Sequence, residues 1–339
     1  MTDIAKGILG GGWSLVAGWI VPTALNVLVF AFFVLPHART VALTDRLATA
    51  SAANQSLVLL GAAAVLGLAL NALQVLLFRP LEGYLGWPGW AFTWGRDRQL
   101  GKRARLRDRI EALKLSSATT LTAEDRARLS ALTPDRAAAR RLDRDRRRTA
   151  GQRALLRERL RRYPLDDGQV LPTALGNAIR RTEEYGYSRY RLDSQVFWHE
   201  LDAVAAEPAR RAVETARVGL DFFVCLLYGH LLVAASAVVV LAVARPATPT
   251  LVVVALVLLA LTPLWYRLAI TTTDGYAAAV RALVNTGREP LATAMGLRLP
   301  PTLAAEREMW SLASKLVRLS YHEKAVDLDR FRARAGPAE

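Results

Sequence analysis

Between Lys6 and Arg39 the chain carries no formally charged residue, and three more such intervals follow, from Arg46 to Arg79, Asp221 to Arg245 and Arg245 to Arg267. Each interval can hold the roughly 20 apolar residues that cross a bilayer as helix. The expected spans are 13–35, 56–78, 220–243 and 250–270. A water-soluble helix of that length needs a polar face, and these segments have almost none. The fold class read from the sequence is therefore all-α: a polytopic membrane protein with four transmembrane helices and a helical cytosolic domain.

Composition agrees, with 52% hydrophobic residues and a mean hydropathy of +0.18. A cleaved leader is not expected. The only basic residue before the first span is Lys6, the apolar run is longer than a signal-peptide core, and no small-residue cleavage site follows it. The single cysteine, Cys225, falls inside the third span and excludes an intrachain disulfide.

Orientation follows from the basic residues. The stretch from Arg79 to Arg217 holds 28 Arg and 2 Lys against 19 acids, whereas residues 36–55 contain only Arg39 and Arg46. Positive-inside bias places the central stretch, the C-terminal tail and both termini in the cytoplasm of a cell whose plasma membrane holds the spans. Aromatic residues at headgroup depth fit the same frame, with Trp87, Trp90 and Trp94 after the second span and Trp265 and Tyr266 ending the fourth. The organisation expected is an N-terminal hairpin over 1–78, an arginine-rich helical domain over 79–219, a second hairpin over 220–270 and a helical tail over 271–339.

Within that domain, residues 140–164 contain eleven arginines. Leu106, Ile110 and Leu113 make an apolar stripe on a preceding helix. Thr122, followed by Glu124 and Asp125, reads as a helix start, and so does Thr133 before Pro134, with helix to about Arg162. The arginines invite three readings: a solvated face, attraction to anionic headgroups, or nucleic acid. Nucleic acid is unfavoured, because no aromatic interleaving accompanies the charge. Asp143, Asp145 and Glu158 favour local ion pairs. Arg146, Arg147, Arg148, Arg157, Arg161 and Arg162 are the candidates for contact with lipid or with an acidic protein partner.

Residues 169–198 have a different texture. Pro172 can open a helix, Ala174, Leu175, Ala178 and Ile179 form its packing side, Gly176 permits close backbone approach, and Arg180 can pair with Glu184. The elements Leu171-Pro172-Thr173, Leu175-Gly176-Asn177, Glu184-Tyr185 and Tyr190-Arg191-Leu192-Asp193 resemble a segment of uncharacterised actinobacterial multi-pass membrane proteins. The resemblance implies the four-span layout and no particular activity. Asn177, Arg181, Glu184 and Tyr185 are candidates for a docking segment, against the alternative that this segment knits the cytosolic helices together.

Helices are expected to run unbroken from Ala209 into the third span and from the fourth span to Asn285. Another begins after Thr302, with an apolar face of Leu303, Met309, Trp310, Leu312, Leu316 and Leu319 that must be buried. The arginine-rich helices are its nearest candidate partner and a second subunit the next.

No catalytic signature emerges. His199-Glu200 lacks a second histidine four residues on, His37, His199, His230 and His322 are dispersed, and no phosphate-binding loop or nucleophile elbow occurs. An enzyme, a cofactor and a metal are not expected. The intramembrane polar residues Asn26, Asn71, Gln74, Asp221, Tyr228 and His230 are the better lead, because polar groups at such depth must meet protein or water. Asp221 and His230, nine residues apart, fall near opposite faces of one helix. Two functions remain open: a membrane-anchored scaffold or receptor recruiting a cytosolic partner, or a homo-oligomeric channel with a layout like that of bestrophin-type anion channels.

Overall fold

The computed structural model describes residues 12–38, 51–147, 149–243, 248–319 and 323–332. The charges at Arg39, Arg46 and Arg245, the arginine at 148 and the histidine at 322 lie outside them. The fold is all-α: the described residues contain no strand, only an isolated bridge between Leu297 and Arg332. Among the described residues four helices are long and apolar enough to cross a membrane: α1 (Gly12–His37), α2 (Ala52–Ala72), α11 (Glu207–Val243) and α12 (Pro249–Ala294). Two compact units result, one of residues 1–79 with 189–339 and one of residues 80–188. The second is shorter than the 79–219 suggested by charge, because Arg189 to Gly219 cluster with the apolar helices.

In the first unit, α1 contains two wide turns, Val16–Ile20 and Phe30–Val34, in which Val21 N–H reaches the Val16 carbonyl and Leu35 N–H reaches that of Phe30. Each wide turn comes just before a proline, Pro22 or Pro36. A proline ring in a helix interior clashes with the carbonyl four residues back and offers no N–H, and a widened turn absorbs both defects. The second apolar segment breaks at Leu73, whose ψ of 6° ends α2 and starts α3 (Gln74–Glu82). Helices α11 and α12 are 37 and 46 residues long, about 55 and 70 Å at 1.5 Å per residue, so both outrun a hydrocarbon core of roughly 30 Å. They form the main packing of the unit with each other, and α1 lies against α11 and α2. Val34, Val233, Ala234, Ala237, Leu251, Ala255 and Leu258 make a continuous core.

The C-terminal helix α13 (Leu303–Arg318) starts at Thr302, whose hydroxyl accepts from Ala305 N–H. Its Met309 and Trp310 are fully buried, whereas Leu303, Leu316 and Leu319 are exposed. Its partners lie in its own unit rather than among the arginine-rich helices. Trp310 meets Phe197 edge to face at 6.1 Å, just before α10 (Trp198–Val204), and Glu306 takes Arg288 of α12 at 2.6 Å.

In the second unit, α4 (Gly89–Ser116) is the spine against which α5 (Ala123–Leu132), α6 (Arg136–Arg147) and α7 (Thr149–Arg161) pack. Thr122 caps α5 in a reciprocal capping box with Asp125. Thr133 ends that helix instead of starting the next one. The start of α6 falls to Asp135, whose carboxylate accepts from Ala138 N–H at 2.6 Å. Similarly, α8 (Ala174–Glu183) is capped by Thr173, with Pro172 preceding the cap. The short α9 (Tyr185–Tyr190) follows.

Candidate functional site

Several polar residues of the apolar helices meet one another or a neighbouring helix. Asn26 of α1 donates from Nδ2 to the Pro22 carbonyl at 2.8 Å, which fixes its amide so that Oδ1 faces His230 Nδ1 of α11, also at 2.8 Å. His230 Nδ1 therefore carries the hydrogen and donates it. The pair fits because residue 229 is glycine: a Cβ there would overlap the Asn26 amide. Trp265 of α12 meets the His230 ring edge-on at 5.5 Å. One turn earlier on α1, Thr23 Oγ1 donates to the Trp19 carbonyl at 2.7 Å and sits 3.3 Å from Cys225 Sγ. Asp221 packs its Cβ against Gly18, with Arg217 Nε 3.6 Å from its carboxylate.

Asp221 and His230 do point apart on α11, yet both meet α1. Asp221, Cys225 and Gly229 are successive members of one i+4 row, a ridge inclined to the helix axis, and α1 follows that ridge until His230 comes within reach. Tyr228 donates to the Leu77 carbonyl at 2.7 Å, and Gln74 Oε1 accepts from Arg217 at 3.4 Å. Asn71 is half-buried at the end of α2. These contacts join α1 to α11 and α3 to α11, side-chain hydrogen bonds linking helices whose surfaces are otherwise apolar. Asn26 and His230 stand out in the sequence as polar residues in apolar runs, whereas Thr23 and Gly229 do not, since a small residue acquires meaning only from what stands over it.

The segment around Asn177 is likewise consumed internally. Asn177 is fully buried, accepting from Leu171 N–H at 2.8 Å and donating to the carbonyls of Leu171 and Thr173 at 2.9 and 2.6 Å. Gly176 lets the α8 backbone meet the end of α3, since a Cβ there would overlap the Glu82 carbonyl oxygen. Arg180 pairs with Glu183 at 3.4 Å rather than with Glu184, which instead takes Arg181 at 2.8 Å and Leu165 N–H at 2.8 Å. Tyr185 is half-buried. Asn177 therefore acts as a clamp on the turn before α8 and is not available for docking.

The arginines divide into two populations. Arg103 is buried, paired with Asp167 and donating to the Leu165 carbonyl at 2.6 Å. Burial pushes its guanidinium below the usual arginine range, and the Arg107 charge adds to that. Gln99, one turn earlier, accepts from the Tyr163 hydroxyl at 2.9 Å. Arg109 binds both oxygens of buried Asp145 at 2.8 to 3.0 Å, while Gln152 donates to the same carboxylate at 3.0 Å. Arg162 pairs with Glu158 at 3.1 Å. By contrast, the guanidinium groups of Arg146, Arg147, Arg153, Arg157 and Arg161 make no hydrogen bond or ion pair among the described residues. Arg146, Arg153 and Arg157 line a cleft of about 380 Å³ with Leu113, Ser116 and Ser117.

Among the described residues no group of three or more His, Cys, Asp or Glu side chains is placed to hold a metal ion. No known protein family, curated protein or solved structure matches the chain.

Proposed function

We propose that this is a non-enzymatic, multi-pass plasma-membrane protein, a scaffold or receptor whose arginine-rich unit faces the cytoplasm with both termini and recruits an acidic protein partner. The observation that carries this reading is the split between arginines. Arg103, Arg109 and Arg162 are held by carboxylates, whereas Arg146, Arg147, Arg157 and Arg161 on α6 and α7 project unpaired from short, solvated helices. Unpaired, exposed charge of one sign contributes little to folding and much to the rate and selectivity of encounter with an opposite charge. The polar residues of the apolar helices support the same reading from the other side, since Asn26, His230 and Tyr228 are occupied by contacts between helices.

A photo-crosslinking amino acid at position 147, introduced in the native host, tests the proposal. The expected result is one discrete adduct with a second, acidic polypeptide that disappears when Arg157 and Arg161 are changed to Glu. Adducts only with lipid or with further copies of the chain would overturn it. So would purified protein that forms a closed ring in nanodiscs and passes ion current, which would move the assignment to a channel.

A further inference from the structure

We propose that the cleft at the corner of α4, α6 and α7 binds a phosphate monoester or diphosphate, carried by a small soluble molecule or by a lipid headgroup. This goes beyond partner recruitment and stands whether or not that reading holds.

Three features converge. First, the charge of the cleft is uncompensated. Its one carboxylate, Asp145, is already committed to Arg109 and Gln152, which leaves Arg146, Arg153 and Arg157 without a counter-ion among the described residues. Arg153 and Arg157 sit four apart on α7, a spacing at which like charges repel, so an anion between them relieves a cost built into the helix.

Second, helix-end electrostatics do not account for these arginines. Cations often gather at the carbonyl end of a helix, and the cleft does lie at the ends of α4 and α6. Yet the last carbonyls of α4 are served by its own hydroxyls, Ser116 Oγ donating to Leu113 at 3.2 Å and Ser117 Oγ to Lys114 at 3.0 Å. The three guanidinium groups keep their donors free.

Third, shape and chemistry match the ligand. A guanidinium offers two parallel N–H groups to a pair of phosphate oxygens, and three of them suit an anion carrying two or more negative charges. At about 380 Å³ the cleft exceeds a bare oxyanion, and Leu113 and Ala154 give its remaining space an apolar wall for the first carbons of an ester.

The test uses the full chain with Cys225→Ser and Ala154→Cys, reconstituted in nanodiscs of zwitterionic phosphatidylcholine, with the maleimide labelling rate of position 154 as readout. Inorganic pyrophosphate is added in one arm, and phosphatidic acid is included in the bilayer in the other. The expected result is saturable slowing of labelling by at least about tenfold in one arm, the responding arm identifying the source of the phosphate. Arg146→Ala and Arg157→Ala should each remove the protection, Arg153→Lys should weaken it by losing the fork while keeping the charge, and Arg144→Ala, outside the cleft, should leave it intact. Circular dichroism of each variant checks that the helices persist, and the Lys variant reports on the fork where an Ala variant unfolds. The proposal is overturned by no protection in either arm, by equal protection of the Arg146 and Arg157 variants, or by sulfate at matched ionic strength protecting as well as pyrophosphate.

Discussion

The clamp at Asn177 and the pair at Asn26 are the same side chain used against two different alternatives. Asn177 satisfies three backbone groups of a turn in the arginine-rich unit, groups that would otherwise be buried without partners. Asn26 joins two apolar helices that are already held by packing and whose backbone is already satisfied within each helix. What a polar residue contributes is set by what its neighbours would do without it. In a loop, loss of the amide strands backbone donors and acceptors. Between apolar helices, it removes one bond between helices.

The largest expected effect comes from breaking the first of these. Asn177→Leu should destabilise the arginine-rich unit by about 3 kcal/mol, since two carbonyls and one N–H lose their partners inside a buried turn. Denaturant unfolding followed by the fluorescence of Trp87, Trp90 and Trp94 would measure it. A loss below about 1 kcal/mol would mean that water reaches the turn and that the clamp is redundant.

Gly229→Ala should follow, at roughly 2 kcal/mol, because the new methyl occupies the space of the Asn26 amide. Thermal unfolding in detergent reads the cost. Combining it with Asn26→Ala sharpens the comparison: the double variant should be more stable than Gly229→Ala alone, the signature of a direct steric coupling. Strict additivity of the two changes would show that the glycine serves something else.

Asn26→Ala alone should cost only about 1 kcal/mol, in line with interhelical hydrogen bonds in membranes. If this single change equalled Asn177→Leu, the contrast between the two environments would fail. Smallest of all should be Arg146→Glu with Arg147→Glu, which removes exposed charges that hold no ion pair and should move the melting midpoint by less than about 2 °C. Binding to the acidic partner proposed above should fall in the same variant, separating interaction from stability.

Much of the architecture was legible in the order of residues. Uncharged intervals longer than a bilayer is thick located α1, α2, α11 and α12, and Thr122 and Thr302 marked helix starts through chemistry confined to a single turn. Thr133 and Pro172 carried similar local signals and lost to stronger competitors, the Asp135 carboxylate and the Thr173 hydroxyl. Local propensity ranks such candidates without choosing between neighbours. The break at Leu73 has no local signal of this kind, and the wide turns lie before Pro22 and Pro36 without ending α1.

The candidate site was less legible, and for a different reason. The pairing of Arg109 with Asp145, 36 positions apart, leaves Arg146 uncompensated although the two residues are adjacent in the chain. Arg153, Ser116 and Ser117 carry no distinguishing pattern and acquire one only where α4, α6 and α7 meet. Likewise, the face of Gly229 is unremarkable until Asn26 fills it.

The order of residues by itself determined which segments are apolar enough to enter lipid and which are too charged, because transfer free energy is a property of each stretch and sums along the chain. Only the tertiary structure decided which charges are answered and which remain free, because an ion pair depends on distances between helices that the sequence does not contain.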